Sequence, residues 1–405
     1  MAKIAVLGFG TVGSGVVEVI ETNKASIGKR AGEEIEIGYV LDLREFPGNP
    51  IQDVLTHNFE DILNDPDVSI VVETMGGLKP AYEFTKKCLL SGKSVCTSNK
   101  ELVAEHGLEL MQVAQEHGVN YLFEASCGGG IPIIRALNSS LTADEIDEIT
   151  GILNGTTNYI LTKMARDGAE FDEALKEAQN NGFAERNPEA DVEGFDACRK
   201  IAILSSLAYG RDVRWQDIYT EGITKITATD IKYAQSIGCS VKLLATSRKV
   251  NNRFYAMVSP ALINADNPLY SVQGVFNAVF VHGNVLGDAM FYGSGAGKLP
   301  TASAVVADVV DCAKHPHENV MNRWNSKKLD LLDIDDVRSR FFVRVSGSLA
   351  GDISSVQEVF GKIEPISIPG VGNEFGFVTE EMSEREYKEK ASKIDNIISM
   401  IRARI

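Results

Sequence analysis

The sequence predicts an α/β chain: a doubly wound parallel sheet, then a strand-rich α+β region and a small terminal module. Three observations predict it. Short apolar runs alternate with helical patterns up to about residue 123, a glycine-rich turn joins the first run to the first helix, and after Cys127-Gly128-Gly129-Gly130 helices and strands come in blocks. At 405 residues and 44% hydrophobic composition the chain can bury two or three cores.

Lys3–Leu7 reads as the first strand, and Gly8-Phe9-Gly10-Thr11-Val12-Gly13 leads into a helix that runs to about Asn23. Further strands are expected at Ile35–Leu41, Val68–Glu73, Ser94–Thr97 and Asn120–Phe123, with helices at Ala81–Ser91 and Leu102–His117. In the second region, strands are expected at Ile146–Leu153, Val241–Ser247, Phe254–Val258, Gly274–His282 and Asn284–Tyr292, and a helix is expected to begin at Tyr159. The loop Gly293-Ser294-Gly295-Ala296-Gly297 precedes an apolar helix, Thr301–Cys312, which is expected to return and cover the first domain. From Arg338 the pattern is strand, helix, two strands and a final helix from Glu384, a βαββα module. The expected domains are therefore 1–130 completed by 293–320, then 131–292, then 338–405.

A formal net charge of −16 with no local basic run disfavours nucleic acid and anionic membranes as partners, and points to a small-molecule ligand. No apolar run approaches the roughly 18 residues of a membrane span, and the N-terminus lacks a signal-peptide pattern, so a cytoplasmic protein is expected. The six cysteines form no C-x-x-C pair, which leaves buried reduced thiols as the expectation.

The chemistry sits in four places. Gly8-x-Gly10-x-x-Gly13 between a strand and a helix lets a pyrophosphate approach the backbone at the positive end of that helix; this is the dinucleotide fingerprint of a Rossmann fold. Asp42, ending the second strand, is the acidic residue expected on the adenosine ribose, or else a solvated turn residue. Lys100 follows the strand Ser94–Thr97 at the edge where open sheets bind ligands, although it could equally be an ordinary residue of a first helical turn.

Asp196 and Lys200 are four apart on a helical face that also carries Ile203, Leu204 and Leu207. An exposed salt bridge would not stand on an apolar stripe, whereas a lysine oriented by a carboxylate at a core edge can serve as an acid/base group. Asn154-Gly155-Thr156-Thr157-Asn158 suits either a substrate contact or a helix cap. Glu124, Cys127, Gly129 and Ile131 could offer oxygens to a cation at the domain junction, or form a plain hinge.

Together with Thr97-Ser98-Asn99-Lys100, Gly128-Gly129-Gly130-Ile131-Pro132, Asn154 to Ile160 and Asp191-x-x-Gly194-x-Asp196-x-x-x-Lys200, these motifs resemble homoserine dehydrogenase from residue 1 to about 315. The resemblance implies reversible NAD(P)H-dependent reduction of L-aspartate 4-semialdehyde to L-homoserine, with Lys200 and Lys100 as catalytic lysines and Asp196 beside them. Glu185, Asp191, Gly155 and Thr156 would line the substrate, with Glu185 holding its ammonium. Phe9, Thr11, Val12, Thr74 and Gly295 would join the glycine fingerprint, Asp42 and Lys100 around the coenzyme. A monovalent cation, commonly sodium, would sit on Glu124, Cys127, Gly129 and Ile131. The C-terminal segment resembles an ACT-type module, which implies an amino-acid effector, and a homodimer is expected.

Leu41 stands where NADP-preferring members carry arginine, so NAD(H) is expected to serve at least as well as NADP(H). The competing readings are another semialdehyde or imine oxidoreductase on the same fold and a non-catalytic dinucleotide sensor.

Overall fold

The computed structural model describes residues 1–321 and 324–405. Among these, six parallel strands form the N-terminal sheet, in the order Leu55–Thr56, Ile35–Leu41, Ala2–Leu7, Val68–Glu73, Ser94–Thr97, Tyr121–Leu122. The chain reverses its direction of travel across the sheet between Ala2–Leu7 and Val68–Glu73, and ligands of doubly wound folds bind outside the strand ends at that switch. Central strands of such a sheet are covered on both faces and read as continuous apolar runs, as Ile4 to Leu7 and Ile70 to Val72 do, all 2% exposed or less.

The helix Lys298–Lys314 returns to pack on Thr11–Thr22 and Lys24–Ala31. Gly15 permits the close approach, because a Cβ there would stand 2.8 Å from the Lys298 carbonyl oxygen and 3.0 Å from the Ala302 methyl.

A second, mixed sheet runs Gly287–Ser294, Phe276–Gly283, Ile146–Ile152, Ser240–Val250, Arg253–Ile263, Ile397–Arg404, Arg338–Ser346, Glu374–Thr379, Ile363–Ile366. This corrects the expected βαββα module. The final helix stops at Ala391 and a further strand, Ile397–Arg404, follows it. That strand lies parallel to Arg253–Ile263 and antiparallel to Arg338–Ser346, so the C-terminal segment shares its sheet with the second domain. Its polar residues hide it in sequence: Arg402 is buried on Glu384 and Glu221, so no simple alternation survives.

The segment nonetheless has a core of its own. Phe341, Val343 and Val345 point to one side with Phe360, Phe375, Phe377 and Tyr387, while the alternate Phe342 joins the main core. No helix among the described residues is long and apolar enough to cross a membrane.

Candidate active site

The helix Phe195–Tyr209 presents the chemistry. Gly194 caps it at φ +84°, a backbone region that disfavours side chains, and a Cβ there would also crowd Val258 and Thr220. Asp196 and Lys200 follow on the face turned toward the strand end Ile146–Ile152. Lys200 Nζ donates to Asp196 Oδ2 at 2.7 Å and to the Leu153 carbonyl at 2.8 Å. Lys100 Nζ lies 2.6 Å from the other oxygen, Asp196 Oδ1.

One buried carboxylate thus holds two ammonium groups, which the sequence distance of 96 residues does not foretell. Burial opposes the charge on Asp196, but Lys200 and Lys100 outweigh it and hold the carboxyl well below the usual carboxylate range. Asp196 in turn raises the proton affinity of Lys100.

Lys100 is launched from a fixed corner. Thr97 Oγ1 donates to Glu73 Oε2 at 2.6 Å, the Asn99 N–H donates to Thr97 Oγ1 at 2.9 Å, and Asn99 caps the helix Lys100–Glu116 by accepting from the Leu102 N–H. Asn154 is the residue that sequence reasoning left between two roles, and it fills both. Its Oδ1 caps the helix Gly155–Asp167 by accepting from the Thr157 N–H, and its Nδ2 donates to Asp191 Oδ1 at 2.7 Å and Asp196 Oδ2 at 2.9 Å. The helix begins at Gly155, four residues before the expected Tyr159, because that cap is what starts it. Asp191 is partly exposed; burial and then the Asp196 charge raise its pKa, and its Oδ2 has no protein partner among the described residues.

Other expected residues stand differently. Glu185 is exposed on the loop after Phe171–Asn180 and makes no hydrogen bond or ion pair with the cluster among the described residues. Thr156 spends its hydroxyl on the Phe183 carbonyl at 2.6 Å, tethering that loop. Gly155 is required by its neighbour, since a Cβ would stand 2.7 Å from the Val275 oxygen.

At the glycine turn, a Cβ on Gly13 would meet the Gly8 oxygen at 1.9 Å, so the turn cannot form with a larger residue there. A Cβ on Gly10 would meet nothing within 4 Å, which leaves the loop open to a close-approaching group. The helix Thr11–Thr22 has neither a side-chain cap nor an acid in its first turn, so Thr11, Val12 and Gly13 leave a bare positive end for an anion. Thr74 braces this turn from below, donating to the Gly8 carbonyl at 2.9 Å. These features fit a dinucleotide pyrophosphate.

Asp42 Oδ2 accepts from the Phe9 N–H at 2.8 Å, and Arg44 clamps the same carboxylate through Nε and Nη2, both at 2.9 Å. The Arg44 guanidinium therefore holds the Asp42 carboxyl well below its usual range. With Leu41 in the place of an arginine, the cation beside Asp42 is Arg44, held at an exposed position over the Phe46 ring.

At the junction, the Glu124 side chain has protein partners. Glu124 accepts from the Ile134 and Arg135 N–H groups at 2.9 and 2.6 Å, while Arg135 reaches Asp308 and Asp311, each at 2.7 Å. Burial pushes Glu124 up to about 7 and Asp308 up to about 8. The Glu124 carboxylate is thus committed to a helix start with a guanidinium beside it, and no cluster of His, Cys, Asp and Glu suited to a metal ion occurs among the described residues. Cys127 is buried with its thiol on the Lys200 carbonyl, and burial pushes it up to about 12. Ile131 is buried, and Gly129 packs so tightly on Gly295 that a Cβ would stand 2.5 Å from the Gly295 carbonyl carbon.

Two family models match this chain: "Homoserine dehydrogenase, NAD binding domain" over residues 8–124, and "Homoserine dehydrogenase" over residues 132–310. A homoserine dehydrogenase of Synechocystis is 40% identical, covering 98% of this chain and 96% of that one, and one of Bacillus subtilis is 36% identical, covering 98% and 95%. Among solved structures, a homoserine dehydrogenase from Thiobacillus denitrificans superposes with a TM-score of 0.91 at 36% identity, covering 99% of this chain and 98% of that one. A hyperthermophilic archaeal homoserine dehydrogenase in complex with NADPH gives 0.65 at 28% identity, covering 77% of this chain and 97% of that one. With a dinucleotide turn at one strand edge, two lysines on one buried aspartate beside it, and relatives of this identity along its length, the chain belongs to the homoserine dehydrogenase family of NAD(P)-dependent oxidoreductases.

Proposed function

We propose that this site interconverts L-homoserine and L-aspartate 4-semialdehyde with Lys200 as the proton carrier, Lys100 as the second cation on the reacting oxygen, and Asp191 as the anchor of the substrate ammonium. The observation that carries this reading is the pair of ammonium groups on Asp196. Lys200 has three N–H bonds, and two are taken by Asp196 and Leu153; the third is left for a substrate oxygen. When bound, the nicotinamide supplies or accepts the hydride. In the reducing direction Lys200 gives its proton to the oxygen of the former aldehyde; in the oxidising direction it takes the hydroxyl proton. The free oxygen of Asp191 suits the substrate ammonium better than the exposed Glu185 does.

A sensor that only bound dinucleotide would need no such lysine pair. The test is turnover with homoserine against a panel of related amino-acid alcohols. A clear preference for homoserine supports the reading, and equal turnover across the panel contradicts it.

Coenzyme choice rests on the Asp42–Arg44 clamp. Asp42 can turn to the ribose hydroxyls of NAD, and Arg44, once released, can meet a 2′-phosphate. Both coenzymes should therefore serve, with NAD at least as good. Arg44→Ala is expected to lower kcat/KM for NADP by at least about tenfold, or 1.4 kcal/mol, with the value for NAD changing much less; equal losses for both would contradict this.

The Glu124 carboxylate is taken up by the Ile134 and Arg135 N–H groups, so a monovalent cation at this junction would rest on the backbone oxygens of Cys127, Gly129 and Ile131. The outer strand Gly287–Ser294, with Met290 and Tyr292 exposed and Phe276 stacked on Tyr292 at 5.2 Å, suits pairing with a second copy. A cavity of about 290 Å³ lined by Arg340, Lys362, Glu364, Thr379 and Glu380 offers both charges to an amino-acid effector. Six buried free thiols suit the reducing cytoplasm.

A further inference from the structure

Asn277, near the start of the strand Phe276–Gly283, is fully buried, and neither its amide oxygen nor its amide nitrogen has a hydrogen-bond partner among the described residues. Buried amides are almost always satisfied, so an unpaired one calls for an explanation. Its position supplies one. A Cβ on Gly295 would fall 2.0 Å from Asn277 Cγ, 2.1 Å from Nδ2 and 2.4 Å from Oδ1, so the amide lies directly against the loop Gly293–Gly297. A Cβ on Gly155 would fall 3.6 Å from Asn277 Oδ1, which puts the same amide beside the start of the substrate-side helix. Gly129 closes the junction from the third side, packed on Gly295.

The approach to Asn277 is held rigidly. Asn158 Nδ2 donates to the carbonyls of Gly274 and Phe276 at 3.0 and 3.1 Å. The buried Lys242 ammonium donates to the Val272 carbonyl, with Asn158 Oδ1 at 3.5 Å. The segment leading into Asn277 is thus tied at three carbonyls.

We propose that Asn277 is a positioning residue for coenzyme binding: its amide bonds to the peptide groups of the Gly293–Gly297 loop as that loop seats on the dinucleotide, fixing the loop's height over the substrate helix. This rests on the reading that Gly295 faces the coenzyme. A polar group left unpaired in the free protein and paired in the complex makes binding tighter, because the penalty is relieved only in the complex.

The experiment is NADH titration by fluorescence on the full chain, with thermal melts of the free and saturated protein, for wild type, Asn277→Leu and Asn277→Ser. Leucine has a similar shape and no polar atoms, so Asn277→Leu should melt no lower than wild type when free, bind NADH at least tenfold more weakly, and keep kcat within threefold at saturation. Serine restores a donor and an acceptor and should recover part of the lost affinity. The proposal is overturned if Asn277→Leu binds NADH within twofold of wild type. It is also overturned if the free variant melts lower while its NADH-induced shift is unchanged, which marks a purely structural residue. Failure of wild type itself to bind NADH would instead sink the coenzyme reading.

Discussion

Lys200 and Lys100 share Asp196 but not the same surroundings, and the difference decides what each substitution does. Lys200 is fixed by two bonds and buried, whereas the Lys100 side chain is 38% exposed and has Asp196 as its one anionic partner among the described residues. Lys200→Ala is expected to lower kcat by at least about 100-fold, the scale of a lost general acid, with NADH affinity unchanged. Lys100→Ala should lower kcat by a similar factor and also weaken homoserine binding. Steady-state kinetics with parallel NADH titrations check both. The Asp196/Lys200 pair was legible in sequence because spacing four on an apolar stripe has few innocent readings. The union with Lys100 was not, since it is made by folding two domains together. Asn154 was half legible: its capping role follows from local pattern, but its bonds to Asp191 and Asp196 depend on tertiary placement.

Among the elements, the strand Arg338–Ser346 carries Arg344, buried on Asp230 at 2.7 Å and Glu374 at 2.9 Å. Asp230 also caps its own helix through Thr227 and takes the Ser399 hydroxyl, so it stays in place when the arginine is lost. Arg344→Met should therefore cost about 3–5 kcal/mol, the scale of a broken buried pair, measured by urea unfolding; a loss under 1 kcal/mol would contradict it.

Lys242, on the strand Ser240–Val250, gives a pH test. Burial lowers its pKa to about 8, below the usual 10.5, so between those values the unfolded chain binds more protons. Its contribution to stability is fully present above pH 10.5 and is lost as pH falls through 8. The stability of wild type relative to Lys242→Met should thus rise across that interval, and a flat difference would refute the assignment. Three strands of the parallel sheet, Ile35–Leu41, Val68–Glu73 and Ser94–Thr97, were readable to the residue, helped by the apolar runs that burial on both faces favours, while the short edge strand Leu55–Thr56 was missed. Ile397–Arg404 was missed, since its arginines meet buried acids that only the fold supplies.

At the scale of the whole molecule, two large sheets meet at the crossing of Gly129 with Gly295, and the second continues into the C-terminal segment. The family models stop at residue 310, which suits a catalytic unit that ends there. The shared sheet nevertheless couples the segment to that unit. Deleting residues 338–405 should bare the edge of Arg253–Ile263 and leave Glu221 and Asp230 without Arg402 and Arg344. The truncated chain is expected to melt lower and to self-associate, as read by calorimetry and light scattering. An unchanged melting temperature would show that the segment is an independent module. The fold class and the dinucleotide turn were visible in sequence because both are local patterns, while the continuity of the second sheet is a long-range pairing that no local pattern encodes.

The account stands on one ammonium, and single-turnover reduction of aspartate semialdehyde by bound NADH tests it most directly. Lys200→Ala, with its NADH affinity shown to be that of wild type, should reduce the aldehyde at least about 100-fold more slowly. A Lys200→Ala enzyme that reduced the aldehyde at the wild-type rate would contradict the account.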